Sequence, residues 1–200
     1  MALLSASITP TNLVTTSGAA TLTNKTLTGA VMNGTLGATT PSTVVATTVQ
    51  ASTTMGVGGA TPSASGSGIT FPATQSASSD ANTLDDYEEG TWSIVDQSGA
   101  GLTFTVNGNQ YTKVGRAVTV NLEIVWPVTA DTSNAAASLP IAAIASNRGG
   151  LSALSNNGIS TNVYINGGAN TFYLYGNTGA TITNAQMSGK YLIVSLTYFV

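Results

Sequence analysis

The stretch Ala117-Val118-Thr119-Val120-Asn121-Leu122-Glu123-Ile124-Val125-Trp126 decides the fold class. Val118, Val120, Leu122, Ile124 and Trp126 share one side of an extended chain, and Ala117, Thr119, Asn121 and Glu123 share the other. Successive side chains of a strand point to opposite faces, so this period of two predicts a strand with one buried face. The segment 191–200 repeats it: Leu192, Val194, Leu196, Tyr198 and Val200 alternate with Tyr191, Ile193, Ser195, Thr197 and Phe199. Its second set is half apolar, which predicts a strand covered on both sides. Leu102, Phe104 and Val106, then Val163 and Ile165, then Phe172 and Leu174 give shorter runs of the same kind.

Between these runs lie Asn107-Gly108-Asn109, Asn156-Asn157-Gly158, Asn166-Gly167-Gly168 and Gly176-Asn177-Thr178-Gly179. Asn and Gly tolerate positive φ, so these clusters are read as hairpin connections. Seven to nine short strands over about 110 residues predict an antiparallel β-sandwich or jelly roll. Residues 135–145 are the one modest helix candidate, interrupted by Pro140.

The chain ahead of this region is different. Residues 1–80 hold 19 Thr, 11 Ser, 12 Ala and 9 Gly, with one aromatic, Phe71, and one charge before Asp80, Lys25. Leu, Ile, Val and Phe are scarce there, too few to offset the ordering entropy of an independent core. Yet the segment is nearly neutral and rich in strand-forming Thr and Val. Two readings follow: an extended arm or stalk over 1–79 ordered by sister chains, or a low-complexity disordered arm. An acidic junction over 80–90 and a knob domain over 91–200 complete the expected division. The knob carries both Trp residues, six of the seven Tyr and three of the four Phe.

Composition excludes much chemistry. With no His and no Cys, the chain lacks Ser-His-Asp and Cys-His arrangements, disulfides, and thiolate or imidazole zinc sites. Five basic and eight acidic residues give a net charge of −3, a poor match for nucleic acid or an anionic membrane. The start, Met1-Ala2-Leu3-Leu4-Ser5, has no basic residue and a short apolar run, unlike a signal peptide. No stretch approaches the roughly 20 apolar residues of a membrane-spanning helix. Gly56-Val57-Gly58-Gly59 and Gly66-Ser67-Gly68 are too short for phosphate loops. The expectation is a protein without catalytic residues and without a cofactor.

The segment 80–90 contains five of the eight acids: Asp80, Asp85, Asp86, Glu88 and Glu89. Closely spaced carboxylates suit calcium, but the spacing here is not that of an EF-hand loop. The plainer reading makes Asp85, Asp86, Glu88 and Glu89 a polar collar at the stalk–knob junction, solvated or between chains. No metal site is assigned.

Asn82-Thr83-Leu84-Asp85-Asp86-Tyr87-Glu88-Glu89-Gly90-Thr91-Trp92, followed by Tyr111-Thr112-Lys113-Val114-Gly115-Arg116 and a long alternating strand, resembles the C-terminal domain of many bacteriophage fibre proteins. Thr21-Leu22-Thr23-Asn24-Lys25-Thr26-Leu27 and the Thr-rich segment 33–43 are similar to the stalks that precede such domains. The resemblance implies a homotrimeric virion appendage, on the tail or on the capsid, with an all-β distal knob. It implies docking to other virion proteins, a tail, baseplate or major capsid protein, through the N-terminal arm. It further implies adhesion of the knob to a host surface glycan or outer-membrane protein. The alternative is a head-fibre or capsid-decoration protein gripping the major capsid protein.

Tyr164, Tyr173 and Tyr175 alternate away from Val163, Ile165, Phe172 and Leu174, so they fall on the non-core face of neighbouring strands. Tyrosine rings beside amides are suited to sugars, offering an apolar face and directional hydrogen bonds without a desolvated charge. Tyr164, Tyr173, Tyr175, Asn166 and Asn177, with Asn156 and Asn157 nearby, are the candidate receptor contacts. The competing reading packs this face against sister chains of the trimer.

Overall fold

The computed structural model describes residues 46–74, 78–80, 82–146, 150–156, 158 and 161–200. The expected arm up to residue 45 therefore lies outside the described residues, as do Arg148 and Asn157. Residues 50–200 form one unit. It opens with a small parallel pair, β1 (Thr54–Gly56) beside β2 (Gly68–Thr70).

Eight further strands follow: β3 (Tyr87–Thr91), β4 (Thr105–Val114), β5 (Ala117–Val125), β6 (Ala136–Ser138), β7 (Gly150–Ser155), β8 (Thr161–Asn166), β9 (Thr171–Gly176) and β10 (Tyr191–Phe199). They form a single sheet in the order β3-β4-β5-β10-β7-β8-β9-β6, antiparallel at every pairing. The protein is thus all-β, and one curled sheet stands in place of the two expected. The only helix among the described residues is α1 (Asn184–Met187), one turn long and closed by a capping box between Thr183 and Gln186.

The curl follows from the alternation. Val118, Val120, Leu122 and Ile124 of β5 and Leu192, Val194, Leu196 and Tyr198 of β10 are all buried. They share one core with Val163 and Ile165 of β8 and Phe172 and Leu174 of β9. A sheet with one apolar stripe along each half removes both from water by folding the halves together. Trp126 closes the core edge-to-face against Phe104, their ring centroids 4.8 Å apart.

The chain leaving β3 joins the two outer edges of the sheet. Residues 87–91 pair with β4, and residues 95–97 pair with β6 at the far edge. Ser138 is the clasp. Its N–H donates to Val95 O at 2.9 Å, and its Oγ accepts from Val95 N at 2.9 Å. The β6 edge is thereby occupied by the segment that leaves β3, which limits edge-to-edge aggregation there.

Two expectations are corrected. Residues 135–145 are not helical: Ala135, Ala136 and Ala137 are fully buried and 136–138 form β6, because small side chains fit where β6 crosses the core. Asn107-Gly108-Asn109 is not a hairpin but a bulge inside β4, where the register shifts between Val106 and Gly108. The β4–β5 hairpin instead turns at Gly115, whose φ of 55° suits glycine. Among the described residues the outer face of β10 is left open: Phe199 is 52 % exposed and Ile193 39 %.

Candidate functional site

The acidic segment enters the sheet. Glu88 and Glu89 lie in β3, and alternation divides the segment between two faces. Glu88 stands opposite Lys113, and Gly90 opposite Tyr111, on the inner side; Tyr87, Glu89 and Thr91 point outward. Asp86 is 2 % exposed and forms a buried ion pair with Lys113. Glu88 Oε1 lies 3.8 Å from Lys113 Nζ, and Glu88 Oε2 accepts from Tyr111 Oη at 3.3 Å. Asp86 O also accepts from Gly115 N at 2.9 Å, which pins the β4–β5 turn to the start of β3.

The other two acids leave this group. Asp85 Oδ2 accepts from Ser78 N at 2.8 Å, and Glu89 Oε2 accepts from Tyr87 Oη at 2.7 Å. The last contact, helped by slight desolvation, raises the Tyr87 phenol above its ordinary pKa. Two of the four carboxylates therefore converge on the Lys113 ammonium, and the other two point to separate backbone and phenol partners. Among the described residues, no group of three acids, His or Cys is placed to hold a metal ion.

The candidate receptor residues are brought together in part. On β8 and β9, Val163, Ile165, Phe172 and Leu174 are buried, while Asn162, Tyr164, Asn166, Tyr173 and Tyr175 are half-buried on the opposite face. Tyr164 is directly across from Tyr173, and its ring meets that of Tyr175 edge-to-face at 5.6 Å. Asn177, exposed in the turn beyond β9, accepts from Asn162 Nδ2 at 3.1 Å and so lies at the Tyr175 end. Asn166 lies at the other end, paired with Thr171. Asn156 is spent on structure, its Oδ1 accepting from Tyr191 N at 2.9 Å. The face is a tyrosine patch with an amide at each end, and no described strand residue on it is charged.

Sequence reading missed a second polar group. Asn184, fully buried at the start of α1, accepts from Trp126 Nε1 at 3.0 Å and donates to Asp131 Oδ1 and Ser98 Oγ, each at 2.8 Å. The Asn184 amide, with help from Ser133, holds the Asp131 carboxyl below the usual carboxylate range. At Asp96, partial desolvation pushes the pKa up, but hydrogen bonds from Ser98 and Leu102 outweigh it and the net shift is downward. Each carboxylate anchors a loop to the core. No sequence motif announces this group, because its members are 86 residues apart at the extreme.

No family model matches the chain, and no curated protein matches it.

Proposed function

We propose that this chain is a non-enzymatic structural protein of a virion, a trimeric fibre whose β domain meets the host surface through the Tyr164–Tyr173–Tyr175 face. The observation that carries the reading is that face: three tyrosines and their flanking amides, set on a rigid sheet, with no described charge among them. Aromatic rings stack on the apolar faces of sugars, and amides bond their hydroxyls. Each contact is worth on the order of 1 kcal/mol net, and three copies per fibre multiply weak contacts into avidity.

The resemblance to phage fibre domains supports the same reading. Its two separated segments, 82–92 and 111–116, meet as the neighbouring strands β3 and β4 and touch through Asp86, Lys113 and Gly115. The carboxylates of that motif are occupied by hydrogen bonds and ion pairs, which favours a structural role over catalysis.

The double substitution Tyr173→Ala, Tyr175→Ala tests it. The expected result is a folded trimer by light scattering and circular dichroism, with reduced adsorption to host cells. A monomeric or unfolded variant would instead make the tyrosines part of a trimer core and overturn the receptor assignment. Unchanged adsorption, with loss of the protein from capsids on deleting residues 1–40, would replace the reading with capsid decoration.

A further inference from the structure

We propose that Lys113 and Asp86 condense into an intramolecular amide, Nζ to Cγ, with Glu88 as the proton relay. The three groups lie on the inner side of β3 and β4 at one end of the sheet. Lys113 is 5 % exposed and Asp86 2 %, and the two side chains are in direct contact. Along the row that contains Lys113, Glu88 flanks it on β3, while Val118 and Tyr198, both buried, continue the row on β5 and β10. An amine and a carboxyl are thus fixed against each other beside an apolar wall.

Two physical arguments favour the covalent product over a permanent ion pair. A buried ion pair carries a heavy desolvation cost, and a neutral group of similar shape in its place is often as stable or more so. Condensation removes the Asp86 and Lys113 charges together, and the charge that stays is that of Glu88, whose side chain is 39 % exposed and keeps its access to water. The second argument is kinetic. Two reactants held in contact by the surrounding sheet react as one molecule, at effective concentrations that bulk solution cannot reach.

The step balances without any co-reactant. A proton passing from the Lys113 ammonium to the Asp86 carboxylate turns the ion pair into a neutral amine and carboxylic acid. The amine nitrogen attacks Cγ and forms the C–N bond. Glu88 takes the proton released from nitrogen and returns it to the departing hydroxyl, so that the C–O bond breaks and one water leaves. Glu88 is placed for this: Oε1 is 3.8 Å from Nζ, Oε2 is held by Tyr111 Oη, and its side chain, 39 % exposed, opens a route to solvent for the water. The link would tie the entry of β3 to the end of β4. A pull arriving through residue 85 would then pass to Val114 without loading the segment 87–112.

The test is the intact mass of the full-length folded protein, measured after denaturation and compared with that of Lys113→Arg. The expected wild-type mass is lower than the sequence by one water, with trypsin failing to cut after Lys113 and a linked fragment joining Asp86 to Lys113. Lys113→Arg should have its full mass, and Glu88→Gln should be linked more slowly or not at all. A folded wild-type protein with the full mass overturns the proposal, as does a water loss that persists in Lys113→Arg. Linkage at wild-type rate in Glu88→Gln overturns the relay.

Discussion

The indole Nε1 of Trp92 donates a hydrogen bond to the backbone carbonyl of Ser138, 3.2 Å away and 46 residues further along the chain. Trp92 is the residue immediately after β3, and Ser138 ends β6, so this bond ties one edge of the sheet to the other. The indole also meets the Tyr111 ring edge-on at 6.4 Å. Trp92 is therefore a hinge pin between the two halves, and its removal should act on closure more than on any one strand.

Trp92→Phe keeps most of the ring and deletes the donor, leaving Ser138 O with one partner fewer. The expected cost is about 1 kcal/mol. Ser138→Ala takes the acceptor from Val95 N, and the expected cost is about 1–3 kcal/mol because that amide is left unpaired. Urea unfolding of the two variants, with m unchanged, measures both.

Gly90 leaves room for the Tyr111 ring: a Cβ at position 90 would sit 3.3 Å from Cε1 of that ring. Gly90→Ala should therefore push the tyrosine outward and cost about 1–2 kcal/mol. In a Tyr111→Leu background the same change should cost less. A double-mutant cycle reads the coupling directly.

Acid should loosen the loops around 96–102 and 131–133 first. Asp96 and Asp131 have folded pKa values below their ordinary ones, so the unfolded chain binds their protons more tightly. Their contribution is complete above the unfolded carboxylate value of about 3.9 and is lost as pH falls through the folded values. Melting temperature should drop on going below about pH 4. The Asp96→Asn, Asp131→Asn variant should have a flatter acid limb.

At the alkaline end Tyr198 governs. Burial pushes its phenol up to about 12, against the opposing hydrogen bond that its oxygen accepts from Ile141 N at 3.3 Å. The hydroxyl donates to Ile141 O at 2.8 Å. A raised folded pKa means stability that is present below about pH 10 and lost as pH rises toward the folded value. Tyr198→Phe should be less stable at neutral pH through loss of that bond. It should also lack the tyrosine-linked part of the decline above pH 10, seen by fluorescence-monitored urea titration.

The strands were legible where one face alone is apolar. Val118 to Trp126 and Leu192 to Tyr198 alternate so cleanly that burial reproduces the sequence pattern residue by residue. The tyrosine face was legible for the same reason. The acidic motif was not, because charge masked its own period of two: Asp86, Glu88, Gly90 and Trp92 follow the inner face as regularly as any apolar run. A buried Lys113 is what makes acids tolerable there, and its sequence neighbours do not reveal it. β6 was hidden by composition, since Ala-Ala-Ser carries no strand signal and depends on β9 and on residue 95 for its form. The apolar outer residues of β10, Ile193 and Phe199, are exposed among the described residues, and the covering expected for them is not supplied by the described part of one chain.

The place of β10 bears on how the protein comes to be folded. It lies in the middle of the sheet, between β5 and β7, yet it is the last of the ten strands to be synthesised. Thr119 and Thr197, whose hydroxyls meet at 2.8 Å, are 78 residues apart along the chain. Until Phe199 has left the ribosome, β5 and β7 have no common neighbour, and their apolar faces wait open. Contacts of such long sequence separation make for slow closure and for exposed intermediates. During that interval the edges of β5 and β7 are open to strands of any other chain, so premature association competes with the folding of this domain.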